Sequence, residues 1–176
     1  MQKSVRPRAV PGQKRGKIMA KPGVDALDRR ILHELQIDAT TPLEEIARRV
    51  GSSKTPVWNR IRRMRETGVI ERQVAIVSPE AIGLDACFFV LVRTSQHSAA
   101  WLEKFLDAVN RHPEIRAAHR LAGDIDYVLQ VRVEDARAFD AFYRRLIEDV
   151  EIFNVTSLMS MEEIRNETAL PVLPRD

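Results

Sequence analysis

The 176-residue chain is long enough for one ordinary domain or two small ones. Hydrophobic residues make up 44% of it, which allows a buried core and excludes wholesale disorder. A single cysteine excludes an intramolecular disulfide framework and a zinc site of several cysteines, and it fits a reducing cytosol. No run approaches the roughly 18 consecutive apolar residues of a membrane span, and the N-terminal residues lack the apolar stretch of a secretory signal. We therefore expect a cytoplasmic protein.

Charge is distributed unevenly along the chain. The formal net charge is +3, yet residues 1–23 carry seven basic side chains and no acidic one. Residues 24–76 carry ten basic and eight acidic side chains, and residues 77–176 carry eleven basic and seventeen acidic ones. A basic first part joined to an acidic second part suggests an end that binds a polyanion and a separate body.

Composition predicts the domain boundaries. Residues 1–23 are rich in proline and glycine and poor in apolar side chains, which predicts a disordered basic tail. Met19 is a plausible alternative start, and we hypothesise that much of this tail is a start-site artefact. We place a first domain at 24–76, a linker at 77–86, a second domain at 87–165 and a C-terminal tail at 166–176.

The first domain begins with two predicted helices. Apolar residues at four-residue spacing predict a helix over 25–38. A second helix follows, for which Thr41 is expected to be the N-cap residue and Glu44 to complete a capping box. Gly51 ends this helix.

A third helix is predicted to start near Ser53 or Thr55 and to end at Gly68. Its apolar stripe consists of Val57, Ile61 and Met64. Trp58 lies beside this stripe, and we interpret it as a packing residue. The partly alternating segment 69–77 could form a short strand or wing.

A helix, a tight turn and a helix with a basic outer face match the helix-turn-helix plan, in which the second helix enters the major groove of DNA. Arginine forks suit phosphate and guanine, and asparagine suits adenine. The alternative is a bare helical hairpin with a solvated charged face. The residues expected to contact DNA are Ser53, Lys54, Thr55, Asn59, Arg60, Arg62 and Arg63.

In the second domain the spacing of apolar residues changes, and it predicts both strands and helices. Its predicted strands are 87–92, 115–121, 127–133 and 155–161, and its predicted helices are 98–111 and 136–149. The order β-α-β-β-α-β is that of the ferredoxin-like fold, so the whole chain is expected to be an α+β protein. This fold places both helices on one face of the sheet and leaves the other face uncovered. Because the first strand is apolar on both sides, we infer that a partner sheet covers this second face, and therefore a homodimer.

Two residue types in this domain receive structural interpretations. Cys87 lies in an apolar strand and is interpreted as an inert core thiol. His119 shares strand parity with apolar residues, which favours a packed histidine. The four histidines lack metal-ligand spacing, so neither a metal site nor a cofactor is expected.

The chain resembles the Lrp/AsnC family of bacterial transcription regulators. The matching stretches are LDRRILHELQIDATTPLEEIARRVGSSKTPVWNRIRRMRETGVI, LAGDIDYVLQVRV and NVTSLMSMEEI. The resemblance implies a winged helix-turn-helix, an α/β effector domain, and dimers that commonly assemble into octamers or other higher oligomers. The stretches HSAAWLEKF and ETALPV resemble a branch that includes a cysteine-responsive activator.

The family also implies an amino-acid effector that binds between effector domains, near the Gly-Asp-x-Asp-Tyr loop. Either Asp124 or Asp126 could accept the ammonium group of such a ligand, although turn aspartates usually bond their own backbone. Carried over by position, the effector residues are Gly123, Asp124, Asp126, Tyr127, Leu158, Met159 and Ser160.

We therefore expect a non-enzymatic transcription regulator that binds double-stranded DNA and responds to an amino acid, with cysteine as the leading candidate. An architectural DNA-compacting protein without an effector is one alternative. A tetrapyrrole decarboxylase-like enzyme is another, although no nucleophile–base pair or phosphate-binding loop supports it.

Overall fold

The computed structural model describes residues 23–96 and 98–174, so nearly all of the predicted basic tail lies outside the described residues. The described residues fall into two compact units. The helical unit consists of residues 23–76 and 164–174, and the sheet unit consists of residues 77–163 except residue 97. Within these residues, no helix is long and apolar enough to cross a membrane.

The helical unit contains α1 (Ala26–Ile37), α2 (Leu43–Arg49) and α3 (Lys54–Glu66). Asp25 caps α1, since its carboxylate accepts from the backbone N–H of Leu27 and of Asp28. The Asp28 carboxylate accepts in return from the backbone N–H of Asp25, which completes a capping box.

The capping box predicted for α2 is wrong. Pro42 occupies the N-cap position and makes no side-chain cap bond. Because α2 begins one residue later than predicted, Glu44 is its second residue, whereas a capping box needs the third. Glu44 pairs with Lys54 instead.

The three helices enclose one apolar core. Its buried members are Ile31, Ile46, Ala47, Val50, Val57, Ile61 and Met64. Gly51 and Gly68 follow α2 and α3 with φ of 66° and 74°, a conformation that glycine adopts without a steric penalty. These glycines therefore end the helices as predicted.

No strand forms over 69–77, so the sheet element of the predicted wing is absent from the described helical unit. Val69 and Ile70 pack against the helical core, whereas Val74 and Ile76 are exposed. A partly alternating segment without a neighbouring strand has no partner for its backbone groups, and it stays irregular.

Residues 164–174 belong to the helical unit. The Gln36 amide donates to the carbonyl of Leu170 at 3.1 Å and accepts from its N–H at 2.7 Å. Arg29 donates to the carbonyl of Val172 at 3.1 Å. The C-terminal segment is therefore attached to α1.

The sheet unit has the predicted β-α-β-β-α-β order. A short 3₁₀ turn, Glu80–Ile82, precedes β1. Its strands are β1 (Ala86–Arg93), β2 (Ile115–Arg120), β3 (Tyr127–Val133) and β4 (Asn154–Met159), and its helices are α4 (Ala99–Arg111) and α5 (Ala136–Asp149). The four strands form one antiparallel sheet in the order β2-β3-β1-β4.

Both helices pack on one face of this sheet. Alternate residues of β1 and β3 meet the buried residues of α4 and α5, namely Trp101, Phe105, Ala108, Phe142 and Leu146. Leu106 and Ile147 are also apolar residues of these helices, but they are 47% and 44% exposed. Each follows a buried residue by one position, about 100° around the helix, which turns it toward solvent.

The opposite face of the sheet is open in the described chain. Its large apolar members, which we call the open face, are Phe89, Leu91, Val128 and Leu158. Phe89 is 38% and Leu158 51% exposed, so the first strand is fully covered on only one side.

His119 also lies on this side and is exposed, so its interpretation as a packed residue is wrong. An irregularity between Ile115 and Ala117 shifts the register and reverses the parity of the following residues. Among the described histidines, the buried one is His112, whose Nε2 lies 2.9 Å from Oδ2 of Asp149.

Candidate nucleic-acid interface

Two sides of α3 have opposite character. Val57, Ile61 and Met64 are at most 8% exposed and anchor the helix in the core. On the other side, Thr55 and Asn59 are exposed one turn apart. The α-helical repeat produces this separation, because residues three and four apart share a face. The exposed side presents hydroxyl and amide groups that can bond the edges of bases.

The start of α3 adds further polar groups. Ser53 is the N-cap residue, and its hydroxyl makes no capping bond. Lys54 is 58% exposed and pairs with Glu44, whose pKa this lysine lowers. The turn between α2 and α3 therefore presents a hydroxyl and an ammonium group beside Thr55.

Arg60 and Arg63 extend back toward α1 and bind a buried carboxylate. Asp28 is 0% exposed and accepts from Arg60 at 2.9 Å and from Arg63 at 2.5 Å. Arg60 also donates to Asp25 at 2.5 Å. The backbone N–H of Asp28, followed by the Arg60 guanidinium, lowers the pKa of Asp25. Two of the seven predicted DNA contacts therefore hold α3 against α1.

Arg62 lies beside Trp58. Its guanidinium carbon is 4.6 Å from the centroid of the indole ring, within the range of a cation–π contact. Arg62 also lies 3.7 Å from Glu66, and both side chains are more than half exposed. The guanidinium is therefore held at the surface of α3.

Trp58 is 49% exposed, so its interpretation as a packing residue is wrong. It lies about 100° from Val57 around the helix, at the border of the buried stripe. That same angle, applied to the sequence, could have identified Trp58 as a surface residue. Asp28 was also missed, and the D-x-x-D capping spacing that begins at Asp25 was the available signal.

In the sheet unit, the loop before β3 holds three of the predicted effector residues. Gly123 has φ of 143°, a conformation that favours glycine, and Asp124 is exposed. The Asp126 carboxylate accepts from the backbone N–H of Thr94 at 2.8 Å. Asp126 therefore ties this loop to the residue that follows β1.

The other predicted effector residues lie in different environments. Tyr127 is 8% exposed, and the centroid of its ring lies 4.5 Å from the ring centroid of Phe105 in the core. Leu158 belongs to the open face, Met159 is 55% exposed, and the N–H of Ser160 donates to the carbonyl of Cys87.

One chain does not bring the two groups of predicted effector residues together. Tyr127 is paired with Val92, near the end of β1, whereas Met159 is paired with Phe88, near its beginning. Four residues of strand separate these positions, which corresponds to about 13 Å at 3.3 Å per residue. The groups also lie beside opposite edges of β1. A small ligand therefore cannot contact both groups within one chain.

Two family models match the chain. The AsnC-type helix-turn-helix domain covers residues 24–65, and the Lrp/AsnC ligand binding domain covers residues 87–170. These matches include α1 to α3 and the sheet with its two helices.

Relatives of known name match over nearly the same length. The glutamate uptake regulatory protein of Zymomonas mobilis is 40% identical over 149 residues, covering 85% of this chain and 91% of that protein. The crystal structure of an AsnC family transcriptional regulator from Agrobacterium tumefaciens is 44% identical, with a TM-score of 0.82, and covers 84% of this chain and 97% of the other. A Neisseria meningitidis transcriptional regulator in complex with L-Met is 28% identical, with a TM-score of 0.80 and coverage of 85% and 97%.

Proposed function

The chain belongs to the Lrp/AsnC family of transcriptional regulators, and we propose that it binds operator DNA through α3 and adjusts this binding in response to an amino acid. One observation carries the DNA-binding part, namely the exposed polar side of α3 opposite its buried stripe. We place this activity in the cytoplasm.

The structure supports different roles for different residues among the predicted DNA contacts. We propose that Thr55 and Asn59 contact base edges, while Ser53, Lys54 and Arg62 contact phosphate. Arg60 and Arg63 chiefly orient α3 through Asp28. A guanidinium has five N–H groups, so both arginines keep donors that can reach phosphate at the rim of the interface.

A salt titration of DNA affinity tests this assignment. Arg62→Ala should make the slope of log K against log salt less negative by about 0.9, because one phosphate contact is lost. Asn59→Ala should change the preferred sequence more than the slope. Arg144→Ala is the matched control, since Arg144 is 72% exposed but lies on α5. An unchanged slope for Arg62→Ala would remove Arg62 from the phosphate contacts.

For the effector, we propose an amino acid whose ammonium group is bound by Asp124. Asp126 already accepts a backbone N–H, which leaves Asp124 as the more available carboxylate of the loop. Cysteine is the first candidate, on the resemblance of 97–105 and 167–172 to the cysteine-responsive branch.

Thermal-shift screening against the amino acids, followed by calorimetry, tests the effector. A ligand that binds only the folded state raises the apparent stability. We expect Asp124→Ala to abolish binding of the ligand identified by the screen, and Asp126→Ala to weaken it through the loop. Unaltered affinity in Asp124→Ala would exclude this carboxylate from the site.

We also propose that the open face pairs two chains into a homodimer, which assembles into octamers or other higher oligomers. An apolar strip that includes Phe89 and Leu158 would be covered by a second copy of itself. Sedimentation velocity of Leu158→Asp should show dissociation, whereas Ile147→Asp, which alters an exposed residue of α5, should not. Dimers that persist in Leu158→Asp would contradict this arrangement.

A further inference from the structure

We propose that Trp58 is a specificity-determining residue of α3, whose indole contacts the 5-methyl group of a thymine in the major groove. This inference rests on the proposed binding of DNA by α3. It names one base that the helix would read and the chemical group by which it would read it.

The first observation is the exposure of Trp58. Every residue of α3 is described, and Trp58 is its only large apolar side chain that is exposed. The other three apolar side chains of the helix, Val57, Ile61 and Met64, are almost completely buried. Covering an indole that is 49% exposed with an apolar group lowers the free energy of the complex.

The second observation is that α1 does not cover this flank of α3. At about 100° per residue, Arg60 and Arg63 lie on one side of the buried stripe, and both bind Asp28 of α1. Trp58 lies on the other side. The flank that carries the indole therefore faces away from the buried carboxylate of α1.

The third observation concerns Arg62, whose guanidinium carbon lies over the indole ring at 4.6 Å from its centroid. A cation fixed on one face of the ring attracts phosphate, and it leaves the ring edge for an apolar contact. Thymine is the base that presents a methyl group in the major groove. The pair therefore has the chemistry to bind a phosphate and a thymine methyl that lie close together.

The test begins with selection of preferred sites from a pool of random duplexes by the full-length protein. Each thymine of a selected site is then replaced by deoxyuridine, which removes only the methyl group, and affinity is measured by fluorescence anisotropy. For the wild-type protein we expect a loss of about three- to fivefold at one position, as for one methyl-sized apolar contact.

Trp58→Ala should bind the thymine and deoxyuridine versions of that position equally, and should keep its discrimination at the other positions. Trp58→Gln is a second variant with the same expectation, and circular dichroism melting verifies that each variant is folded. Ile37→Ala is the matched control, because Ile37 is 64% exposed at the end of α1 and should leave the profile unchanged.

Two results overturn the proposal and are distinguishable. If the pool yields no enriched sequence for the wild-type protein, the proposed operator binding fails, and the role of Trp58 fails with it. If sites are enriched but no replacement of thymine matters, or if the Trp58 variants keep the wild-type profile, the role of Trp58 alone is refuted.

Discussion

Replacement of Asp28 by alanine should loosen α3 from α1 and destabilise the helical unit. The carboxylate is fully buried and accepts from Arg60, Arg63 and the backbone N–H of Asp25. Its removal leaves both arginines without this partner and breaks the capping box of α1.

The magnitude follows from how exposed the partners are. Removing one partner of a buried ion pair costs about 3–5 kcal/mol when the other charge stays buried. Arg60 and Arg63 are 29% and 49% exposed, so water can solvate them, and we reduce the expected loss to about 1.5–3 kcal/mol. For a domain of this size, the melting temperature should fall by at least about 6 °C.

Thermal and urea unfolding followed by circular dichroism measure this loss. Asp28→Asn should lose less stability, because an amide oxygen still accepts one hydrogen bond. Glu66→Ala is the control within the same unit, since its pair with Arg62 is exposed and should contribute at most about 0.5 kcal/mol. A loss below about 0.5 kcal/mol in Asp28→Ala would show that water replaces the carboxylate at no cost and would refute the reasoning.

Three further predictions concern stability and pH. Gly51→Ala should cost about 1 kcal/mol in urea unfolding, because the φ of 66° disfavours any side chain, whereas Gly23→Ala, which has open space around it, should be neutral. Hydrogen bonds from Arg48, and then from the arginine that follows it in the sequence, lower the pKa of Glu45 to about 2. The ionised Glu45 carboxylate therefore stabilises the fold fully above pH 4.5, and this stabilisation is lost as the pH falls toward 2. Glu45→Gln should therefore flatten the acid limb of a plot of stability against pH. Trp101→Phe should cost about 1–3 kcal/mol by thermal unfolding, because the buried indole N–H donates to a backbone carbonyl at 2.6 Å.

Features that depend on neighbouring residues could be predicted from the sequence. The apolar repeat at three and four residues predicted each of the five α-helices in the described residues, and the glycines after α2 and α3 ended them where expected. The predicted strands 115–121 and 127–133 correspond to β2 and β3, which pair with each other. Backbone geometry alone sets these periods, so a local pattern is sufficient to detect them.

Pairs that lie far apart along the chain were decided by the tertiary structure. Asp28 and Arg63 are separated by 35 residues, and only the packing of α1 on α3 brings them together. One irregularity in β2 turned His119 outward, and the register of β1 separated the loop at Gly123 from the residues at Leu158. A contact between distant residues depends on how helices and strands pack, and one-dimensional spacing does not contain that information. The sequence thus determined which elements form and which family the chain belongs to. Folding decided which charged and aromatic side chains of α3 remain exposed and can contact a ligand.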